Sequence, residues 1–85
     1  MLTEKELIEI ENRLKKAQSG EWKAFIEGRN NESGSDFIMT GFGDKRGNDI
    51  ELIGATIHDY DFIANAKQDI PKLIDEIREL KKLLK

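Results

Sequence analysis

The terminal stretch DIPKLIDEIRELKKLLK, residues 69–85, constrains the chain more than any other. Its apolar residues Ile70, Leu73, Ile77, Leu80 and Leu84 alternate by three and four, the seam of a helix in heptad register. Asp69 reads as the N-cap, and Pro71 falls in the first turn, where its missing N–H costs nothing. Asp75, Glu76 and Glu79 precede Lys81, Lys82 and Lys85, the order the helix dipole favours. Ile74 and Leu83 widen the seam beyond what a solvated helix carries, so this helix must pack on something. Ile70, Ile77 and Leu84 take a positions and Leu73 and Leu80 take d positions, a choice that favours two parallel strands, with Glu76 at g and Lys81 at the next e. The expectation is a homo-oligomer, and the other reading has the same stripe used up against the chain's own sheet and first helix. Ile74 and Ile77 face the protomer, and the interface with a neighbour runs over Ile77, Leu80, Leu83 and Leu84.

A chain of 85 residues buries only roughly 60% of the surface its unfolded form exposes, so it gains from extra support. Cysteine is absent and there is one histidine, which removes disulfides and thiolate sites and leaves a zinc site short of ligands. No metal and no cofactor are expected. Association is the remaining route to stability. A net charge of −3 argues against general nucleic-acid binding, which needs a basic face. No stretch reaches the ~18 apolar residues of a membrane span. The start, MLTEKE, is acidic and polar, unlike a signal peptide, so the cytoplasm is the expected compartment.

In chain order, Thr3 and Glu6 form a T-x-x-E capping box, with Leu2 and Leu7 as a hydrophobic staple. Leu7, Ile10, Leu14 and Ala17 then line one face of a helix that Ser19-Gly20 ends. Residues 21–27 alternate as a strand, Trp22, Ala24 and Ile26 against Lys23, Phe25 and Glu27. Residues 28–34 are a polar loop. A second strand spans 35–40, a glycine-rich reversal 41–48, and a third strand 49–57 with Gly54 marking a bulge or close approach. Asp59 caps a short helix over 60–67, and Gln68-Asp69 breaks it from the terminal one. The fold class is therefore α+β in one domain, residues 1–85. An N-terminal helix, a three-stranded antiparallel meander, a short helix and a long C-terminal helix pack on one face of the sheet.

Two blocks carry a resemblance. Ala17-Gln-Ser-Gly-Glu-Trp22 resembles the A-T-P-G-P-W turn of small phage and prophage early-region proteins, the Ead-like group. DFIANAKQDIPKLIDEIREL, residues 61–80, is similar to their D-A-x-F-I-A-x-A-R-x-D-V-P-x-L-L-x-E-V-x-x-L block. Together they cover about a third of the chain. Ser19 and Glu21 depart from the pattern, which has proline or threonine there. The resemblance implies a phage or prophage origin and an accessory role towards a bacterial host, with no activity to carry over.

Several clusters invite a chemical reading. Gly41, Gly43 and Gly47 with Lys45 and Arg46 can cradle an anion, but the spacing fits neither common phosphate-loop pattern and a hairpin turn is the simpler account. His58, Asp59 and Asp61 are too few for a metal site, and Asp59 has the capping role. Trp22 can stack on a base or nucleoside, or anchor the core. Asn65 and Gln68, at the helix break, can meet a ligand or simply cap and solvate. The ligand surface expected here is Arg29, Lys45 and Arg46 facing negative charge, with Trp22 or Phe42 as a flat wall and Asn65 and Gln68 beside them.

These readings favour a non-enzymatic accessory binding protein that counteracts host defence by sequestering a nucleotide-type signal or a host protein. The other reading is a purely structural interaction domain working through the terminal helix. With no matched carboxylate pair and no cysteine, an enzyme is not expected.

Overall fold

The computed structural model describes residues 1–84. The elements are α1 (Glu4–Lys16), β1 (Trp22–Phe25), β2 (Phe37–Thr40), a single 3-10 turn (Gly43–Lys45) and α2 (Ile57–Leu83). The helix α1 begins where the capping box places it. The Glu6 N–H donates to Thr3 Oγ1 at 3.1 Å, and the Thr3 N–H donates to Glu6 Oε1 at 2.9 Å. The chain leaves α1 through an extended Ala17. Gly20 and Gly41 then cross closely. A Cβ on Gly20 would lie 2.9 Å from the Gly41 Cα, and one on Gly41 would lie 2.2 Å from the Lys45 carbonyl oxygen.

The sheet has two strands, β1 antiparallel to β2, with Trp22 opposite Thr40 and Phe25 opposite Phe37. The expected three-stranded meander is corrected here. Of residues 49–57, only Ile50 pairs, exchanging both backbone bonds with Ile38 at 2.8 and 2.9 Å. Two residues later the Tyr60 hydroxyl takes over. It accepts from the Leu52 N–H at 2.9 Å and lies 3.2 Å from both the Leu52 and Asp36 carbonyl oxygens. Gly54 then turns with φ 78, Ile53 stands fully in solvent, and Ile57 opens α2. A strand cannot continue once one hydroxyl holds both of its edge groups and a left-handed residue bends it.

The helical part is corrected too. There is no break at Gln68-Asp69, because α2 runs unbroken for 27 residues. Its start is a second capping box. Thr56 accepts from the Asp59 N–H at 3.1 Å, and the Asp59 carboxylate accepts from the Thr56 N–H at 2.9 Å. Asp59 is thus the third helical residue and not the cap. Asp69 lies mid-helix, as does Pro71, which forfeits one i→i−4 bond where its ring faces solvent.

The N-terminal half of α2 lies across one face of the sheet. Tyr60 and Ala64 pack on Ala24, Ile26 and Ile38, flanked by Trp22, Ile50, Leu52 and Ala55. Complete burial of Ile26 and Ile38 stabilises by about 1.5–3 kcal/mol each. The opposite face carries a stacked Phe25–Phe37 pair, 5.2 Å between centroids, with the Lys23 ammonium 5.3 Å from the Phe25 ring centre.

The C-terminal half of α2 projects past the sheet and receives α1 antiparallel. Leu7 and Ile74 are buried there. The Arg78 guanidinium binds Glu11 at 2.7 and 2.8 Å and Glu4 at 2.8 Å, and Lys81 Nζ donates to the Leu2 carbonyl at 2.9 Å. The expected position of α1 on the sheet is therefore replaced by packing on α2. The radius of gyration is 15.6 Å, with extents of 52 × 27 × 19 Å, against about 12 Å for a compact chain of this length. No helix among the described residues is long and apolar enough to cross a membrane.

Candidate functional site

The open edge of β1 organises the polar surface. Because Ile38 spends its backbone groups on Ile50, the Ala24–Ile38 pair is a non-bonded one, and Trp22, Ala24 and Ile26 turn their N–H and C=O groups away from β2. Amide side chains meet them. Gln68 accepts from the Trp22 N–H at 2.8 Å and donates to the Trp22 carbonyl at 3.0 Å and to the Ala64 carbonyl at 3.1 Å. Asn30 accepts from the Ile26 N–H at 2.7 Å and donates to the Ala24 carbonyl at 3.1 Å. Two side chains thus stand in for a third strand and close an edge that would otherwise pair with another chain.

Beside this edge lies an open cleft of about 480 Å³, between β1, the 28–31 turn and the first turns of α2. It brings together four of the expected residues, Trp22, Arg29, Phe42 and Asn65, with Glu21, Lys23, Asn30 and Asp61. The turn that carries Arg29 is fixed by its own backbone. The Arg29 and Asn30 N–H groups both donate to the Ile26 carbonyl, at 3.0 and 3.2 Å. Gly28 supplies the positive φ of 83 that this reversal needs.

Arg29 then reaches α2 and grips Asp61 with both forks, Nη1 to Oδ2 at 3.1 Å and Nη2 to Oδ1 at 2.8 Å. The pair stays open to water, its side chains 47% and 36% exposed. These hydrogen bonds, opposed in part by lost hydration, hold the Asp61 carboxyl below its usual range and raise the Arg29 guanidinium further. Asn65, which also lines the cleft, donates from Nδ2 to the Asp61 backbone carbonyl at 2.8 Å.

The remaining expected residues fall elsewhere. Gln68 is consumed by the β1 edge. Lys45 and Arg46 lie outside the cleft, Arg46 tied to Asp49. In the glycine-rich reversal two of the three glycine amides are already spent, Gly41 and Gly47 donating to the Glu21 and Thr40 carbonyls at 2.8 and 2.7 Å. Trp22 is half-buried, its Nε1–H donates to the Gln18 carbonyl at 3.1 Å, and the Lys67 ammonium sits 5.8 Å from its ring centre. Phe42 is 45% exposed and supplies the accessible aromatic wall. In the sequence Asp61 belongs to the His58–Asp59–Asp61 cluster and opens the 61–80 block, but neither it nor Asn30 is marked there as a cleft residue. Arg29 and Asp61 are 32 residues apart, and only the fold pairs them.

A second surface is apolar. Along α2, Phe62, Leu73, Leu80 and Leu84 are 75, 60, 51 and 74% exposed on one face, flanked by Leu83. A shallow groove between the helices continues this face through Ile10, Ile63 and Ile70. The expected Glu76–Lys81 pairing across a parallel dimer meets a conflict, since Lys81 is already engaged by the Leu2 carbonyl just ahead of α1. Ile74 and Ile77 turn towards the protomer, Ile74 buried and Ile77 partly so.

No group of acidic residues and histidine able to hold a metal occurs among the described residues. Comparison with known protein families, with curated proteins and with solved structures finds no match for the chain.

Proposed function

We propose that the chain is a non-enzymatic binding protein that sequesters a small anionic, nucleotide-type ligand and works as a homo-oligomer. The observation that carries the reading is the cleft itself. Its volume falls in the range of small-molecule sites, and its lining joins a guanidinium, two asparagine amides and an exposed aromatic ring. Aromatic stacking with charge-assisted bonds to phosphate is the usual means of holding such a ligand. The resemblance in the 17–22 and 61–80 blocks adds the setting, a phage accessory factor that withdraws a signal from a bacterial host.

The apolar stripe of α2 supports association. Phe62, Leu73, Leu80, Leu83 and Leu84 are each more than half exposed, and clustered apolar side chains left in water mark interaction sites. That stripe also supports the other reading, a structural interaction domain with no ligand. Melting curves and native mass spectra with a panel of cyclic nucleotides and NAD derivatives separate the two. A true ligand at 100 times its Kd adds about 2.7 kcal/mol and is recovered chemically unchanged. No shift across the panel leaves the interaction domain.

A further inference from the structure

We infer that Asp61 is a built-in placeholder for the ligand's anionic group, and that it restricts the cleft to diphosphate-bearing ligands over carboxylates. This inference rests on the proposed binding of an anionic ligand in the same cleft. Arg29 is the cleft's only planar fork among the described residues, and Asp61 fills both of its prongs at 3.1 and 2.8 Å. That bidentate geometry is the one a guanidinium uses for a phosphoryl group.

Both partners are well exposed, and pairs of this kind are held weakly against water. The backbone of the Arg29 turn is fixed by its bonds to Ile26, so the guanidinium stays tethered at the cleft while its partner changes. Asp61 sits on α2, and its backbone carbonyl is engaged by Asn65. Only the carboxylate needs to swing aside.

Charge sets the selectivity. Arg29 is paired one to one with Asp61, so an incoming anion finds neither prong open until it displaces the Asp61 carboxylate. A single carboxylate merely replaces like with like and leaves Asp61 repelling it nearby. A diphosphate brings several oxygens and more than one charge, so it takes both prongs of Arg29 and gains more from the guanidinium than a single carboxylate does. The resident carboxylate therefore acts as a threshold, and its removal lowers that threshold for every anion.

The test is isothermal titration of the full chain with inorganic pyrophosphate, ADP and succinate, using wild type, Asp61→Asn, and Asp61→Asn combined with Arg29→Gln. Asp61→Ser serves in place of Asp61→Asn if the latter melts early. The expected result is that wild type binds pyrophosphate and ADP but not succinate, while Asp61→Asn binds both phosphates about tenfold more tightly and gains succinate. The double variant should lose those gains. If wild type binds the phosphates and Asp61→Asn binds them no better, the placeholder is refuted while the ligand site stands. Equal tightening in the double variant also refutes it, since the effect would not pass through Arg29. If no variant binds any probe, both the placeholder and the ligand-binding reading fall.

Discussion

Gln68→Met is the most searching perturbation of the fold. Methionine keeps the length and helical preference of glutamine but can neither accept from the Trp22 N–H nor donate to its carbonyl. The structure gives Gln68 three bonds at 2.8, 3.0 and 3.1 Å, two of them to β1 and one to its own helix. The Ala64 carbonyl lies within α2 and loses little. The two Trp22 groups lie at a half-buried edge, where each stranded polar group costs about 1–3 kcal/mol when water is excluded. Partial access puts the total near 2 kcal/mol. A domain of this size has about 4–13 kcal/mol in all, and 2 kcal/mol lowers the melting temperature by roughly 8–16 °C. Thermal unfolding followed by far-ultraviolet circular dichroism measures it, with Asn65→Ala as the exposed control expected to move less than about 3 °C. A Gln68→Met protein that melts within 2 or 3 °C of wild type, roughly the scatter of surface substitutions, would refute the edge-capping argument.

Tyr60→Phe removes the hydroxyl that holds both backbone groups of Leu52 and should cost about 1–3 kcal/mol, with amide exchange at Leu52 rising in step. Leu80→Glu combined with Leu84→Glu should leave a folded monomer, whereas wild type at micromolar concentration sediments as a dimer or larger; a wild-type monomer throughout sinks the association. Gly41→Ala should fail to yield folded protein in expression and dichroism, because its Cβ would meet the Lys45 carbonyl at 2.2 Å. Stability should also fall in acid. The carboxyls of Glu6 and Asp59, bonded by their caps, and of Glu11, bonded by Arg78, all titrate below their ordinary range. The unfolded chain then binds protons more readily than the folded one. Their contribution is complete above about pH 4.5 and disappears as the pH falls through their lowered values, which a pH series of melting curves will show.

What could be read in the sequence was local. The capping box at Thr3 and Glu6 and the alternation through Trp22, Ala24 and Ile26 involve neighbours only, and both are in the structure. The second capping box, Thr56 to Asp59, was equally local, but an apolar run up to Ile57 reads as strand and masks it. The third strand and the helix break failed for one reason. Whether Leu52 pairs with a strand or with the Tyr60 hydroxyl is decided by tertiary packing, and so is whether Gln68 faces water or the β1 edge 46 residues away. Pro71 and the polar Gln68-Asp69 step look like a boundary, yet a helix already nucleated and packed at both ends carries them through. The cleft was legible only as a set of residue types. Arg29, Trp22, Phe42 and Asn65 could be named, but nothing local ties Asp61 or Asn30 to them, and Lys45 and Arg46, grouped with them by type, lie outside the cleft.

The continuity of α2 makes it a measuring rod. Asp61 at the cleft and Leu80 on the stripe share one uninterrupted axis, and at 1.5 Å per residue they stand about 28 Å apart along it. Two copies that seat their stripes side by side in the same direction must carry their clefts as neighbours at one end. Two that seat them head to tail must hold the clefts at opposite ends, tens of ångströms apart. Because one helix carries both surfaces, the direction of pairing determines whether two bound ligands meet or stay strangers.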